Sequence, residues 1–410
     1  TIIIHMEIIE RKEDMKRWEK IGKRVLVYGR RKVGKSFFVR NFTKWDEYFF
    51  VKRDGGILDT KNWKEISYEY LKDLLLREKK RIVIDEFQRL PEEFLDFLHA
   101  NAENLELTLI TSTLWLSLKI LGKGSPLLGI FEEFKMGLVD ERDALRFTFQ
   151  KERGKEIVEK AVYLREPWLV ELMKGETRKE IARILKEEKN TIERLIGEIF
   201  REEERFLKEI YIAILTAIAC GKNKSTEISS FLFSRKLIPK DDASTIQSYL
   251  KILQQIGLIK RIEAINKKFY FYSLSSPLLD LYFYLEGKYG FSETEIPLEE
   301  IERVVNEKIS FHVEDFFREL FSKIFGLKVG KIIEKDYDVD VVLYSFKRIE
   351  AVGEVKWRDF VSRKEVEEIE ERLRKFEKKF LIVPEKKNLE KIPEGIEVID
   401  VEKLKELVKE

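Results

Sequence analysis

At 410 residues the chain exceeds what one hydrophobic core supports, and its 44% apolar and 12% aromatic content excludes wholesale disorder. Charged residues make up 38%, with 78 Lys and Arg against 76 Asp and Glu; the net charge of +2 excludes a globally basic nucleic-acid binder, so any basic binding surface has to be local. A lone cysteine, Cys220, excludes a disulfide framework, and His5, His99 and His312 are too scattered for a Cys/His zinc site.

The Lys- and Glu-rich balance suits the surface ion-pair networks of a thermophile. No apolar run reaches the ~20 residues that a membrane span requires, and "TIIIHMEIIERKED" lacks the basic start and small-residue cleavage site of a secretion signal. The expectation is a cytoplasmic chain without membrane contact. Cys220, inside "IYIAILTAIAC", is expected in the core.

The segment "RVLVYGRRKVGKSFFVR" (24–40) runs from an apolar strand at Val25–Tyr28 into Gly29-x-x-x-x-Gly34-Lys35-Ser36 and then into a helical pattern. This is a phosphate-binding loop in its proper strand–loop–helix context. The backbone of Gly29, Arg30, Arg31, Lys32, Val33, Gly34, Lys35, Ser36 and Phe37 would cradle phosphate oxygens, aided by the helix N-terminus. Lys35 would reach the β- and γ-phosphates and Ser36 would ligate Mg2+.

"EYFFV" (47–51) predicts a further strand, and "RIVIDEFQRL" (81–90) a strand at Ile82–Ile84 that ends in Asp85-Glu86. An acid at the carboxyl end of a buried parallel strand belongs beside such a loop. Asp85 would hold Mg2+ through water, and Glu86 would polarise the attacking water. "ELTLITST" (106–113) ends in Thr111, Ser112 and Thr113, placed either to sense the γ-phosphate, with Ser112 foremost, or to cap the next helix. No Asn-Lys-x-Asp guanine-reading sequence occurs, which favours ATP over GTP. The expected fold is α/β, a doubly wound parallel sheet.

"EIIERKEDMKRWEK", the phosphate loop, "IVIDEFQRL" and "SPLLGIFEEFKMGLV" together resemble the archaeal P-loop ATPase family of the STAND/AAA-related class. The resemblance covers about the first half of the chain. It implies Mg2+-dependent ATP hydrolysis, a helical lid and, as in many such ATPases, a homo-oligomer. Two departures stand out: "TST" replaces the family's "GSS", and Ile130 stands where an arginine is common. If that arginine is a trans-acting finger, hydrolysis is slow or another arginine serves; Arg30, Arg31 and Arg142 are candidates.

Residues 153–205 read as helices, either the lid or a structural bundle. Over 206–290, three helical patterns precede the strands "LIKRIEA" and "KFYFYSL", turning at Asn266, which is how a winged helix reads. Its second half offers Ser244, Thr245, Gln247, Ser248 and Lys251 to a DNA groove, with Lys267 and Lys268 on the wing. The alternative is a docking role within the protein.

From 291 onward, "ISFHVEDFFRELFSKIFG" predicts an amphipathic helix carrying Glu314. Strands at 339–344 and 349–355 follow, then the helix "SRKEVEEIEERLRKFEKK" and the strands "FLIVP" and "IEVIDV". Asp338 and Asp340 share one strand face, and Glu354 and Lys356 another. Phosphodiester hydrolysis requires a divalent metal, Mg2+ or Mn2+, held by carboxylates from two strands, here Asp340 and Glu354, and a cation, here Lys356, beside the developing charge. Glu314 would supply a further carboxylate. Asp-x13-Glu-x-Lys resembles the PD-(D/E)XK nuclease motif, and "GEVKW" resembles the form carried by domains appended to the same ATPase family. The alternative is a solvated edge in a charge-rich chain.

The expected organisation is therefore 1–152 P-loop ATPase core, 153–205 helical lid, 206–290 winged helix and 291–410 restriction-endonuclease-like domain. DNA is the expected partner, cut or only bound.

Overall fold

The computed structural model describes residues 7–77, 80–101, 105–112, 127, 129–200, 205–265, 267–334, 338–346 and 348–409. Thr113, most of the "SPLLG" block and the Asn266 turn lie outside them. The chain divides into two compact units, Arg11–Leu138 with Leu195–Glu202, and Val139–Arg194 with Glu203–Glu410 and the first ten residues.

In the first unit, strands β1 (Arg24–Tyr28), β2 (Glu47–Val51), β3 (Ile57–Asp59), β4 (Lys64–Ile66), β5 (Arg81–Asp85), β6 (Glu106–Thr111) and β7 (Glu132–Lys135) form one sheet in the order β4-β3-β2-β5-β6-β1-β7. The stretch from β2 to β7 is parallel throughout, while β3 and β4 are antiparallel additions at one edge. Their near-continuous apolar runs are what a parallel sheet covered on both faces demands. Val25, Val27, Phe38, Tyr48, Val83, Ile110 and Phe134 build the core beside the phosphate loop. β1 lies between β6 and β7, so the loop after β1 opens at the carboxyl edge, beside the ends of β6 and β5.

In the second unit, β8 (Ile259–Ala264), β9 (Tyr270–Leu274), β10 (Lys328–Ile333), β11 (Asp338–Ser345), β12 (Arg348–Val355), β13 (Lys379–Ile382) and β14 (Glu397–Ile399) form a second seven-stranded sheet, β14-β13-β12-β11-β10-β8-β9. β10, β11 and β12 are an antiparallel meander, and β13 and β14 run parallel to β12. The helix Arg363–Leu373 buries Val366, Ile369 and Leu373 against Val339, Val342, Val352 and Leu381. The helix Leu298–Phe325 packs Phe321 edge-on to Phe380 and Phe317 at a tilt against Trp357.

Three helices, Arg205–Ala219, Ser225–Ser234 and Gln247–Gln255, lead into the β8–β9 hairpin. That hairpin adds to the C-terminal sheet: β8 pairs in parallel with β10, Gly330 opposite Glu263 and Lys331 opposite Ala264. Together with the contacts that helix 298–325 makes to helices of residues 141–187, this packs everything from Val139 onward, apart from 195–202, as one unit. Cys220 is half-buried rather than a core thiol, because it ends its helix beside a cavity.

Three helices of this unit are tied by a buried polar chain. Tyr163 Oη meets His312 Nδ1 at 3.0 Å, and His312 Nε2 meets Asp280 Oδ2 at 2.9 Å. Lys308 Nζ approaches the same carboxylate at 2.7 Å. Burial alone would raise the Asp280 pKa, but the Lys308 charge and the His312 hydrogen bond outweigh it and hold the carboxyl below its ordinary range. A depressed carboxylate stabilises the fold above its ordinary pKa, and that contribution disappears as pH falls through the folded-state value. Asp280→Asn, which strands Lys308, is expected to cost about 3–5 kcal/mol at neutral pH. In urea titrations the difference from the parent protein should shrink in acid; a constant difference would contradict this origin.

Candidate functional site

The phosphate loop is shaped by two constraints. Gly29 has φ of 151°, and a Cβ there would meet the Met136 carbonyl oxygen at 2.0 Å, because Met136 N donates to Tyr28 O at 2.8 Å as β7 leaves the sheet. Gly34 takes the left-handed conformation (φ 89°) directly before the helix Lys35–Phe42. Lys32, at the loop tip, also has positive φ (63°) and is exposed, whereas Val33 is buried. Phe37 packs edge-on to Phe42 on the first turns of the helix, and Arg31 pairs with Glu198 at 3.1 Å.

Lys35 is buried and donates to the carbonyls of Gly29 at 2.7 Å and Arg30 at 3.0 Å. Burial brings its pKa down to about 8, against the pull of Glu86 and Asp85. Asp85 is 2% exposed at the end of β5. Its Oδ2 accepts from Tyr48 Oη at 2.7 Å, Ser36 is near enough to lower its pKa, and its Oδ1 has no hydrogen-bond partner. Burial raises the Asp85 pKa despite those donors. A buried carboxylate with an open oxygen beside a serine hydroxyl fits a divalent cation and its waters.

Glu86 stands in the left-handed region (φ 59°) at the turn after β5. Ser112 Oγ donates to its Oε1 at 2.9 Å, and Gln88 Nε2 and Arg89 each reach Oε2 at 2.8 Å. Ser112 therefore engages Glu86, which leaves the sensing role assigned to it as an expectation.

Two residues of this site gave no sign in the sequence. Tyr48 reads only as an apolar strand position, yet its hydroxyl holds Asp85. Arg11 pairs with Asp14 at 2.6 Å and donates to the carbonyls of Val33 at 2.7 Å and Gly137 at 3.0 Å. It thus ties the loop to the chain leaving β7. Of the proposed arginine fingers, Arg142 is engaged with Asp140 at 2.9 Å, next to its own helix start.

The second cluster lies in the C-terminal unit. Asp340 on β11 and Glu354 on the adjacent β12 are 9% and 2% exposed. Asp340 Oδ2 accepts from Val355 N at 2.9 Å. Lys356 Nζ contacts Glu354 Oε1 at 2.7 Å, and Arg372, from helix 363–373, reaches the same oxygen at 3.3 Å. Glu354 Oε2 is buried without a hydrogen-bond partner. Burial and the Asp340 charge push the Glu354 pKa up against Lys356 and Arg372. Glu314 is pushed up to about 7 by burial, with Arg318 opposing and Asp340 adding to the rise. Arg318 pairs with Glu314, binds Asp315 at 2.5 Å and donates to the Asp340 carbonyl at 2.8 Å.

Buried carboxylates on adjacent strands, one with an open oxygen, fit a cation. Among the described residues no group of three or more His, Cys, Asp or Glu is arranged to hold a metal ion. A metal here would therefore take Asp340 and Glu354 together with water or substrate oxygens. Asp338 stands at the rim, paired with Lys331 at 3.1 Å. Arg372 and Arg318 escaped notice in the sequence because each resembles any other cation on a charged helix. The hairpin and helix residues expected to meet DNA, Ser244, Gln247, Ser248, Lys251, Lys267 and Lys268, are exposed, and Thr245 is half-buried.

No helix among the described residues is long and apolar enough to cross a membrane. Residues 22–145 match the family model of the AAA domain. No curated protein matches the chain. Among solved structures it is similar to the Aeropyrum pernix ORC1 protein in complex with DNA, at 14% identity over 70% of this chain and 95% of that one, TM-score 0.27. It is also similar to Cdc6p from Pyrobaculum aerophilum, at 11% identity over 76% and 97%, TM-score 0.27. A third is a Signal Transduction ATPase with Numerous Domains (STAND) protein with a tetratricopeptide repeat sensor from Pyrococcus horikoshii, at 16% identity, TM-score 0.28, covering 78% of this chain and 51% of that one. Likenesses of this size carry no argument about the whole chain. The AAA match spans β1 to β7 and contains the phosphate loop, Asp85, Glu86 and Ser112.

Gly29→Ala places a methyl group against a main-chain oxygen that β-sheet pairing holds in place. The expected loss is about 1–3 kcal/mol of stability, the usual cost of overpacking, together with weakened ATP binding. Urea unfolding and calorimetric titration with ATP check both; parent-like values in both would contradict the close approach.

Proposed function

We propose that this protein is a Mg2+-dependent ATPase coupled to a C-terminal unit that acts on DNA and cleaves it. The observation that carries the ATPase half is Lys35, buried inside a glycine-bounded loop and lodged on two loop carbonyls that a phosphate would replace. Ser36 and Asp85, with its open oxygen, would hold Mg2+, which neutralises phosphate charge when bound. Arg11 and Tyr48 keep the loop and Asp85 in register, and Glu86 is placed to orient water.

The DNA-cleaving half is supported by carboxylates on adjacent strands with Lys356 beside them and by the helix, three-stranded meander, helix and parallel strand around them. Asp340 and Glu354 would hold Mg2+ or Mn2+, which supplies Lewis-acid stabilisation of a phosphodiester. Lys356 and Arg372 fix Glu354 through one oxygen and leave the other to the metal. The exposed polar face of 244–251 and the lysines at 267–268 would contact the DNA backbone in a winged-helix mode.

A second reading is a slow nucleotide-operated switch whose C-terminal unit binds DNA or a protein without cutting. The engagement of both Glu86 oxygens by Ser112, Gln88 and Arg89 favours it, since a tied base does not orient water. Ile130 at the arginine position points the same way.

Lys35→Ala is expected to lower ATP affinity at least tenfold and abolish phosphate release; unchanged binding and turnover would refute the ATPase assignment. Asp340→Ala with Glu354→Ala is expected to abolish Mg2+- or Mn2+-dependent cleavage of labelled single-stranded, duplex and branched DNA while phosphate release continues. Cleavage by the parent that survives in the double variant would place the nuclease elsewhere. Absence of cleavage by the parent, with ATP turned over slowly, would select the switch.

A further inference from the structure

The C-terminal unit contains a cavity of about 400 Å3 between the β8–β9 hairpin, helix 277–289 and helix 298–325. It runs along helix 298–325 from Glu307 to Arg318, roughly 16 Å at 1.5 Å per residue. One end is walled by Glu314, Arg318 and Lys331, so whatever occupies it lies beside the carboxylates of the candidate metal site. Much of the wall is aromatic: Phe271, Tyr272, Tyr284, Phe311 and Phe316. Phe311 is 65% exposed, whereas Ile309, His312 and Val313 on the same helix are buried.

The electrostatics narrow the ligand class. Lys260 pairs with Asp315, Lys308 with Asp280 and Arg165 with Glu141, each at 2.7 Å, and Lys331 with Asp338 at 3.1 Å. Each of these wall cations is thus compensated by an acid, which gives the cavity little attraction for a dianion and suits a neutral group. Aromatic walls suit a flat one. The volume falls in the range of small-molecule pockets and excludes a duplex.

We infer that this cavity receives a single unpaired nucleobase of a DNA strand, stacked against Phe311 at its mouth, with the sugar–phosphate left outside in solvent. The inference rests on the proposed action on DNA and specifies its substrate class: DNA with an unpaired nucleotide, at an overhang, gap or branch. A base inside an intact duplex is stacked and paired and cannot enter without the cost of extrusion. A free nucleoside phosphate shares the same base chemistry and is the competing source.

The test uses the full-length protein in Ca2+ and hairpin DNA that is either blunt or carries a short single-stranded overhang with 2-aminopurine next to the junction. Fluorescence anisotropy should show the overhang DNA bound roughly tenfold more tightly than the blunt form, with 2-aminopurine quenched on binding. Phe311→Ala, at an exposed position, should remove that preference and the quenching while leaving blunt-duplex affinity unchanged. An abasic junction nucleotide should act on the parent protein as Phe311→Ala does. Equal affinity for both DNAs, or a preference that survives Phe311→Ala, would overturn the inference. So would deoxynucleoside monophosphate bound in a Phe311-dependent way without any overhang preference. The outcome separates from that of the nuclease assignment: cleavage in Mg2+ without a base-dependent preference sinks only the cavity, whereas a Phe311-dependent preference without cleavage sinks only the nuclease.

Discussion

The C-terminal unit depends on one buried guanidinium. Arg318 is 5% exposed, and its three contacts run to Glu314, to Asp315 and to the main-chain carbonyl of Asp340. Without it, Glu314 would face Asp340 and Asp315 with only Lys331, at 4.0 Å, as a compensating charge, in a poorly solvated space where like charges cannot all stay ionised. The planar fork of arginine presents three separate nitrogens in one plane, one to each carboxylate and one to the carbonyl. The same side chain ties helix 298–325 to β11 through the Asp340 carbonyl, so it contributes both to the charge balance of the site and to the placement of that strand. Because that helix also carries His312 and Lys308, the polar chain to Tyr163 and Asp280 inherits its position from the same lock.

The phosphate loop obeys a different constraint, of backbone crowding rather than charge. Gly29 is required because β7 brings Met136 against it, and the loop is then held from outside by Arg11 through Val33 and Gly137. Anion-binding loops need their N–H groups fixed before the phosphate arrives, since ordering them on binding would consume affinity. Trp18 packs edge-on against Phe134 at 5.1 Å and Phe38 at 5.9 Å, which fixes the flanking helix that carries Arg11. The segment before the loop therefore helps to hold the loop in place.

Much of this was legible where function lies in consecutive residues. The glycine spacing around 29–36, the acids closing the strand at 82–85 and the two-residue step from Glu354 to Lys356 are local patterns, and each falls on the expected element. The strands β3, β4 and β7 were not foreseen: the first two are three residues long, and "EEFK" places two exposed glutamates in a strand. β10 was hidden by lysines and a glycine in "KVGKII", and β8 joins it through pairing that no local pattern encodes. Tyr48, Arg11, Arg318 and Arg372 were illegible for the same reason. Their roles lie in partners far along the chain, and with 38% charged residues no single cation stands out.

The two sites differ in readiness. Around Asp85 one oxygen is open, but Glu86, the residue proposed to orient water, is bound at both oxygens and held in a left-handed turn. Such strain persists only where the surroundings enforce it, and here Ser112, Gln88 and Arg89 do so. Release requires those three contacts to be exchanged for others. In the C-terminal unit, by contrast, Glu354 is clamped through one oxygen only, and its second needs no rearrangement to accept a cation. If the chain is the ATPase proposed, a water-orienting residue tied at both oxygens in one unit and a carboxylate oxygen left open in the other suit ATP setting when the C-terminal unit acts, rather than supplying energy to each act.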